Sequence, residues 1–261
     1  MDDLAVALAL ADRADEITMR HFRRSELVVR TKSDRSVVSE ADTETELALR
    51  DLVAEHRPGD GFLGEEFGAA GRAADGRRRW IVDPVDATSN FVRGIPVFAT
   101  LIGLEEADEV TAGVVSAPGL GHRWWAARGQ GACADGRPIH VSGVADLADA
   151  HISVADLHRW AARGQADRIV EIENRARSTF GAGGFWAQML LAEGRGDATL
   201  AASAKIWDNA AIKVVVEEAG GRFTDLDGAP RIDGNCALAT NGLLHTELLE
   251  LLAADGGPQG P

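Results

Sequence analysis

With 261 residues and 45% hydrophobic content, the chain can bury a proper core, which excludes a disordered or fibrous protein. Its 41 acidic against 27 basic residues leave a net charge of −14, which repels nucleic acid and anionic membrane surfaces and favours a cation as partner. Cys133 and Cys236 stand far apart without CxxC or Cys/His spacing, so neither a zinc site nor a disulfide framework is indicated, and a reducing cytoplasm is expected.

The N-terminus opens on Asp2 and Asp3, without the basic start and apolar block of a secretion signal. No apolar run approaches the roughly 20 residues that span a bilayer, so a soluble protein is expected. Ala7, Leu10, Ala14 and Ile17 recur at steps of three and four and predict a packing helix over 3–23. A second helix is predicted from about Glu40 to His56, with Ser39 as N-cap and Pro58-Gly59-Asp60-Gly61 as its stop. Asp42 falls in the first turn of that helix, where the dipole favours a carboxylate whether or not it does chemistry.

From Gly61 to about Trp125 the texture becomes strand-like: Phe62-Leu63-Gly64, Arg79 to Val82, Phe98 to Leu104 and Val110 to Ser116, punctuated by Gly, Pro and Asp. After about Val141, helical patterns return at Ala166 to Arg177, Gly184 to Glu193 and Trp207 to Ala219, interleaved with strand-like Ala198 to Ala201 and Ala237 to Thr240. The expectation is two α/β layers sharing one cleft. Residues 1–140 would carry most of the acids, 141–255 would carry Asp208 and the substrate side, and 256–261 would form a flexible tail.

The most informative stretch runs from Trp80 to Phe91, an apolar strand ending in Asp83-Pro84-Val85-Asp86-Ala87-Thr88. Pro84 fixes φ at about −65°, which lets Asp83 and Asp86 converge, and paired hard oxygens suit Mg²⁺. Taken alone, the tetrapeptide Asp83-Pro84-Val85-Asp86 is better read as a turn whose aspartates cap backbone N–H groups. Gly64-Glu65-Glu66 at another strand end and Trp207-Asp208-Asn209-Ala210-Ala211 at a helix start add further acids. Gathered together without a cation, such groups would repel one another. Lys32, before the Asp42 helix, is either a cation for the same cleft or an ordinary surface lysine.

In this order, Gly64-Glu65-Glu66, Asp83-Pro84-Val85-Asp86-Ala87-Thr88, Trp207-Asp208-x-Ala210-Ala211 and Glu218-Ala219-Gly220-Gly221 resemble the inositol monophosphatase superfamily of metal-dependent, often lithium-sensitive phosphatases, over about residues 4–252. The wider text resembles its actinobacterial histidinol-phosphate phosphatase branch: Arg57-Pro58-Gly59-Asp60-Gly61, Asn90 to Val97, Arg123 to Gly129 and Ala239-Thr240-Asn241-Gly242. The resemblance implies an α/β (α+β) fold of the five-layer αβαβα sandwich type. It also implies two or three Mg²⁺ per subunit, a homodimer and a small phosphorylated metabolite as substrate, with no nucleic acid or membrane partner.

Carried onto this chain, the resemblance assigns Glu65, Asp83 and the Val85 carbonyl to one metal, and Asp83, Asp86 and Asp208 to a second. Asp42 and Thr88, with Glu65, would orient and deprotonate the attacking water, and the Ala87 and Thr88 N–H groups would hold phosphate. The sequence departs from the pattern at three places. Ala87 replaces a glycine, at a cost on the order of 1 kcal/mol if its φ is positive. Ser89 removes a cation often found there. Gly184 and Phe180 stand where that branch has, on the side of the substrate's organic part, an acid and an arginine, so the ammonium of histidinol loses a partner. Trp186 nearby either packs in the core or shapes a different pocket.

The function implied is Mg²⁺-dependent hydrolysis of a small phosphate monoester, nominally histidinol phosphate. A sugar, cyclitol (inositol) or nucleoside phosphate is the alternative, and a non-catalytic binding relative of the same fold the third reading. Retention of all four metal carboxylates with Thr88 and Asp42 argues against the last.

Overall fold

The three- and four-residue spacing of Val6, Ala7, Leu10, Ala14 and Ile17 forms the buried stripe of α1 (Asp3–His21). The chain continues through the hairpin β1 (Val29–Thr31) and β2 (Val37–Ser39) into α2 (Glu40–His56), started by a capping box between Ser39 and Asp42. Next come β3 (Gly61–Gly64), β4 (Gly68–Gly71), β5 (Arg78–Asp86) and the short α3 (Thr88–Val92). Strands β6 (Ala99–Glu106), β7 (Glu109–Ala117), β8 (His122–Ala127), β9 (Ala132–Ala134) and β10 (Arg137–Ile139) follow. The second half holds β11 (His151–Val154), α4 (Leu157–Ala162), α5 (Ala166–Arg175), β12 (Ser178–Phe180), α6 (Phe185–Ala192) and β13 (Ala198–Ala201). It ends with α7 (Ile206–Glu218), β14 (Arg222–Thr224), β15 (Ala237–Thr240) and α8 (His245–Ala253). This computed structural model describes residues 2–33, 35–71 and 78–253, so the tail expected at 256–261 lies outside the described residues.

An eight-stranded sheet runs β10-β9-β8-β7-β6-β5-β3-β4, and a five-stranded sheet runs β12-β11-β13-β15-β14. Helices α1 and α2 cover the outer face of the larger sheet through Val6, Leu10, Leu49, Trp80 and Val114. Between the sheets lie α6 and α7, in a core that joins Leu101 and Val115 of one sheet to Phe223 and Ala239 of the other. Trp160, Ile169 and Leu248 of α4, α5 and α8 pack on the outer face of the smaller sheet. The layers therefore alternate αβαβα, as the resemblance implies. Among the described residues no helix is long and apolar enough to cross a membrane.

Two local devices position the acids. Asp83 pairs with Leu101 on β6 while Asp86 pairs with Ala99, so three steps along β5 match two along β6. That inserted residue is a bulge; in a regular strand, residues three apart would point to opposite faces. The Thr100 hydroxyl donates to the Pro84 carbonyl at 2.8 Å and pins the irregular exit. The second device is close approach of α7 to the larger sheet. A Cβ at Gly103 would lie 2.7 Å from the Ala210 Cβ, and one at Gly113 would lie 2.6 Å from Val214 Cγ1. Small residues on both sides thus let α7 lie against the sheet with Asp208 in its first turn.

Candidate active site

Strands β3 and β5 run parallel, with Gly64 beside Val82, and the Glu65 N–H donates to the Val82 carbonyl at 3.2 Å. Glu65 and the Asp83 to Asp86 segment therefore emerge together at the carboxyl ends of two parallel neighbours, where α/β sheets bind ligands. Asp83 is 2% exposed, and its carboxyl is held well above the usual carboxylate range by burial and by the charges of Glu65, Asp86, Asp208 and Asp42. Its Oδ1 accepts the Val85 N–H at 3.0 Å. Burial likewise raises Asp86, although the Phe185 N–H donates to its Oδ2 at 2.9 Å and opposes the rise. Asp208 is pushed up to about 7 by burial and then by Asp86, against the pull of the Lys205 N–H; that N–H donates to Asp208 Oδ2 at 2.7 Å. Four acids from three separated segments share one field, and Asp83, Asp86 and Asp208 have no ion pair among the described residues.

Asp42, at the third position of α2, is fully buried. Its Oδ2 accepts both the backbone N–H and the hydroxyl of Ser39, at 2.8 and 2.6 Å. Its Oδ1 lies 3.1 Å from the Thr88 hydroxyl, which also reaches the Val85 carbonyl at 3.0 Å. Burial raises the Asp42 pKa despite these donors. Ala87 adopts a left-handed conformation, φ 66°, so the positive φ that a glycine would tolerate is indeed required here. Its N–H turns toward the Asp86 carboxylate, while the first-turn N–H of Thr88 has no partner within its own helix.

Asp86, Ala87, Gly184 and Asp208 line a cleft of about 600 Å³ between the two sheets. Glu65 and Lys32 line a separate cavity of about 320 Å³ beside the β1–β2 hairpin. There the Lys32 ammonium binds Glu65 Oε1 at 2.8 Å and Glu66 Oε1 at 2.7 Å. Burial alone would lower the Lys32 pKa, but the two carboxylates outweigh it and raise it, while burial lifts Glu66 to about 7. Gly184 offers no side chain to a ligand, and a Cβ there would meet Asp86 Oδ2 at 2.8 Å. Its φ of 64° also suits glycine. Trp186 both packs against the central core and lines the larger cleft.

Glu46 escaped the sequence reading. It is fully buried, and its carboxylate accepts the Glu66 and Phe67 N–H groups at 2.6 and 2.9 Å, fixing the turn that carries Glu65. A Cβ at Gly64 would collide with that carboxyl group. The i,i+4 spacing of Asp42 and Glu46 was the available signal, since it puts both acids on one helix face.

Among the described residues no three acidic, histidine or cysteine side chains lie together in a geometry that grips an ion as they stand. Local donors hold them instead: Lys32 on Glu65, Ser39 on Asp42 and the Lys205 N–H on Asp208. The donor set still fits a hard divalent cation, because it gathers four carboxylates, of which Asp83, Asp86 and Asp208 are raised by burial and then by neighbouring carboxylates and have no basic side chain bonded to them among the described residues.

The sequence model of the Inositol monophosphatase family matches residues 2–256. A histidinol-phosphatase of Mycobacterium tuberculosis is 48% identical over 97% of this chain and 98% of its own length. One from Streptomyces coelicolor is 44% identical over 97% of each. Among solved structures, the extragenic suppressor protein suhB from Bartonella henselae superposes with a TM-score of 0.88 at 30% identity, over 95% of this chain and 97% of that one.

Two outcomes follow from this geometry. Ala87→Gly should raise stability by roughly 1 kcal/mol by relieving the left-handed alanine, measured by denaturant unfolding. The second concerns pH: the folded-state pKa of Asp208 lies above its unfolded value, so protonation favours the folded chain. Stability in EDTA should therefore rise as pH falls through about 7. Saturating Mg²⁺ should flatten or reverse that slope; identical pH profiles with and without the cation would contradict the shared charge.

Proposed function

The chain belongs to the inositol monophosphatase family and is a phosphoric monoester hydrolase acting on small substrates, and from that premise we propose that it is a Mg²⁺-dependent histidinol-phosphate phosphatase. The observation that carries the metal dependence is the crowding of Asp83, Asp86 and Asp208 beside Glu65, with no basic side chain paired to the three aspartates among the described residues, which raises Asp83 and Asp208. Glu65, Asp83, the Val85 carbonyl, Asp86 and Asp208 would hold two or three cations. When bound, these supply positive charge against the phosphoryl oxygens and lower the pKa of water.

The chain's own residues do the rest. The Thr88 hydroxyl donates a hydrogen bond to Asp42 or to the Val85 carbonyl, 3.1 and 3.0 Å away, which leaves oxygen lone pairs free to accept one from an attacking water; as that water gives its proton to Thr88, Thr88 passes its own to the Asp42 carboxylate. Asp42, buried and raised, is the stronger base for that proton, and Ser39 keeps it from turning away. Glu65 would orient the same water once Lys32 releases it. The Thr88 N–H is available to phosphate oxygens at the start of α3, whereas that of Ala87 is engaged by the Asp86 carboxylate. The leaving alcohol extends into the 600 Å³ cleft.

Identity to two histidinol-phosphatases over nearly the full chain supports the substrate. A cyclitol or other polyol phosphate is the second reading, favoured by one observation: position 184 has no carboxylate for an ammonium group and no room for one beside Asp86. We further propose a cytoplasmic homodimer; the two free cysteines suit a reducing compartment.

Phosphate release from a panel of histidinol, inositol, sugar and nucleoside phosphates with Mg²⁺ tests the proposal. Histidinol phosphate should give the highest kcat/KM. Asp86→Asn should lower kcat by about 10³-fold or more, and Thr88→Ala by about 10- to 100-fold. No release by the wild type from any member would favour the non-catalytic reading.

A further inference from the structure

We propose that Gln188 is a specificity-determining residue of the larger cleft and that, with Asp156, it receives the cationic, nitrogen-bearing end of the substrate alcohol; this rests on the phosphatase reading above. Gln188 lies on α6, is only 9% exposed, and lines the cleft that holds Asp86 and Asp208. Its Oε1 is buried without any hydrogen-bond partner among the described residues. Leaving a buried amide oxygen unpaired costs roughly 1–3 kcal/mol, a penalty that an N–H donor from a ligand removes when the terminal amide turns its oxygen to the cleft. Nothing in the packing around α6 supplies that donor.

The charge of the cleft selects the donor. Its lining contains three carboxylates, Asp86, Asp156 and Asp208, and no lysine or arginine among the described residues. Asp86 and Asp208 belong to the cation-binding set. Asp156 does not: it sits before α4 in a left-handed conformation, φ 57°, and its side chain caps nothing. Its carboxylate reaches Arg159 at 3.5 Å, but the two side chains are 59% and 51% exposed, so the pair is weak and readily exchanged. An ammonium or protonated imidazole therefore finds a weakly paired, exposed carboxylate and an unpaired acceptor in the lining. A polyol would satisfy Gln188 and could donate hydroxyls to Asp156, but it brings no positive charge to that carboxylate. Trp186 and Ile212, also in the lining, offer apolar surface to a planar ring.

This arrangement also accounts for Gly184. A side chain there would strike Asp86, so an acid at that place is incompatible with the present position of the Asp86 carboxylate. Recognition moves one turn along α6, to Gln188, and to Asp156 in the same cleft.

The test compares wild type, Gln188→Leu and Asp156→Asn on L-histidinol phosphate and on 4-nitrophenyl phosphate, with Mg²⁺. In Gln188→Leu, the ratio of kcat/KM for the amino-alcohol ester to that for the aryl ester should fall about tenfold or more, mainly through KM. Asp156→Asn should lower the ratio in the same direction and lose its effect at high salt. Gln188→Glu, which keeps an acceptor and adds charge, should preserve the ratio. Calorimetric titration of L-histidinol reads the same contact without turnover, and should show about tenfold weaker binding to Gln188→Leu. An unchanged ratio in both Gln188→Leu and Asp156→Asn overturns the inference. So does equal affinity of wild type and Gln188→Leu for L-histidinol, whether or not the esters are hydrolysed. Absence of wild-type hydrolysis alone counts against the phosphatase reading, with the titration still deciding this one.

Discussion

Repulsion among carboxylates is the constraint on which the rest of this structure depends. Asp83 is buried within reach of the charges of Glu65, Asp86, Asp208 and Asp42, and no basic side chain pairs with it among the described residues. A folded chain does not assemble such a group for stability, because each buried like charge costs free energy that hydrophobic packing must offset. The arrangement makes physical sense as a receptor for cations, and cations in turn make the cleft habitable for a phosphate dianion.

Much of the surrounding architecture holds this unfavourable group in register. The bulge between Asp83 and Asp86 turns both acids to one region, and Thr100 anchors the distorted strand through the Pro84 carbonyl. Gly103 and Gly113 let α7 approach closely enough to bring Asp208 from far along the chain. Ser39 and Glu46, both buried in or beside α2, fix Asp42 and the turn after β3. The same backbone demands a left-handed residue at 87, where this chain carries alanine and bears the strain.

The main helices and the acid segments were legible because they rest on local signals, whereas the five-layer order was implied only by the family resemblance. The α1 stripe, the Ser39 cap and the alanines after Asp208 each report their role within a few residues. The convergence of Asp83 and Asp86 was legible only in part: strand alternation would separate them, and the inserted residue that reunites them depends on pairing with β6, which no local pattern reveals. Short strands such as β1, β9 and β12 span three residues each, too few to display alternation. Gln188 was invisible for another reason. Its sequence context, Phe185 to Leu191, reads as apolar helix, and only the tertiary packing shows that one polar group in it is buried and unpaired.

The central claim is that the acid cluster excludes anions until cations occupy it. Calorimetric titration of inorganic phosphate into the chain, once in EDTA and once in saturating Mg²⁺, tests it without any assumption about the organic substrate. Phosphate should bind in Mg²⁺ and give no measurable binding in EDTA. Equal affinity under both conditions would contradict the account.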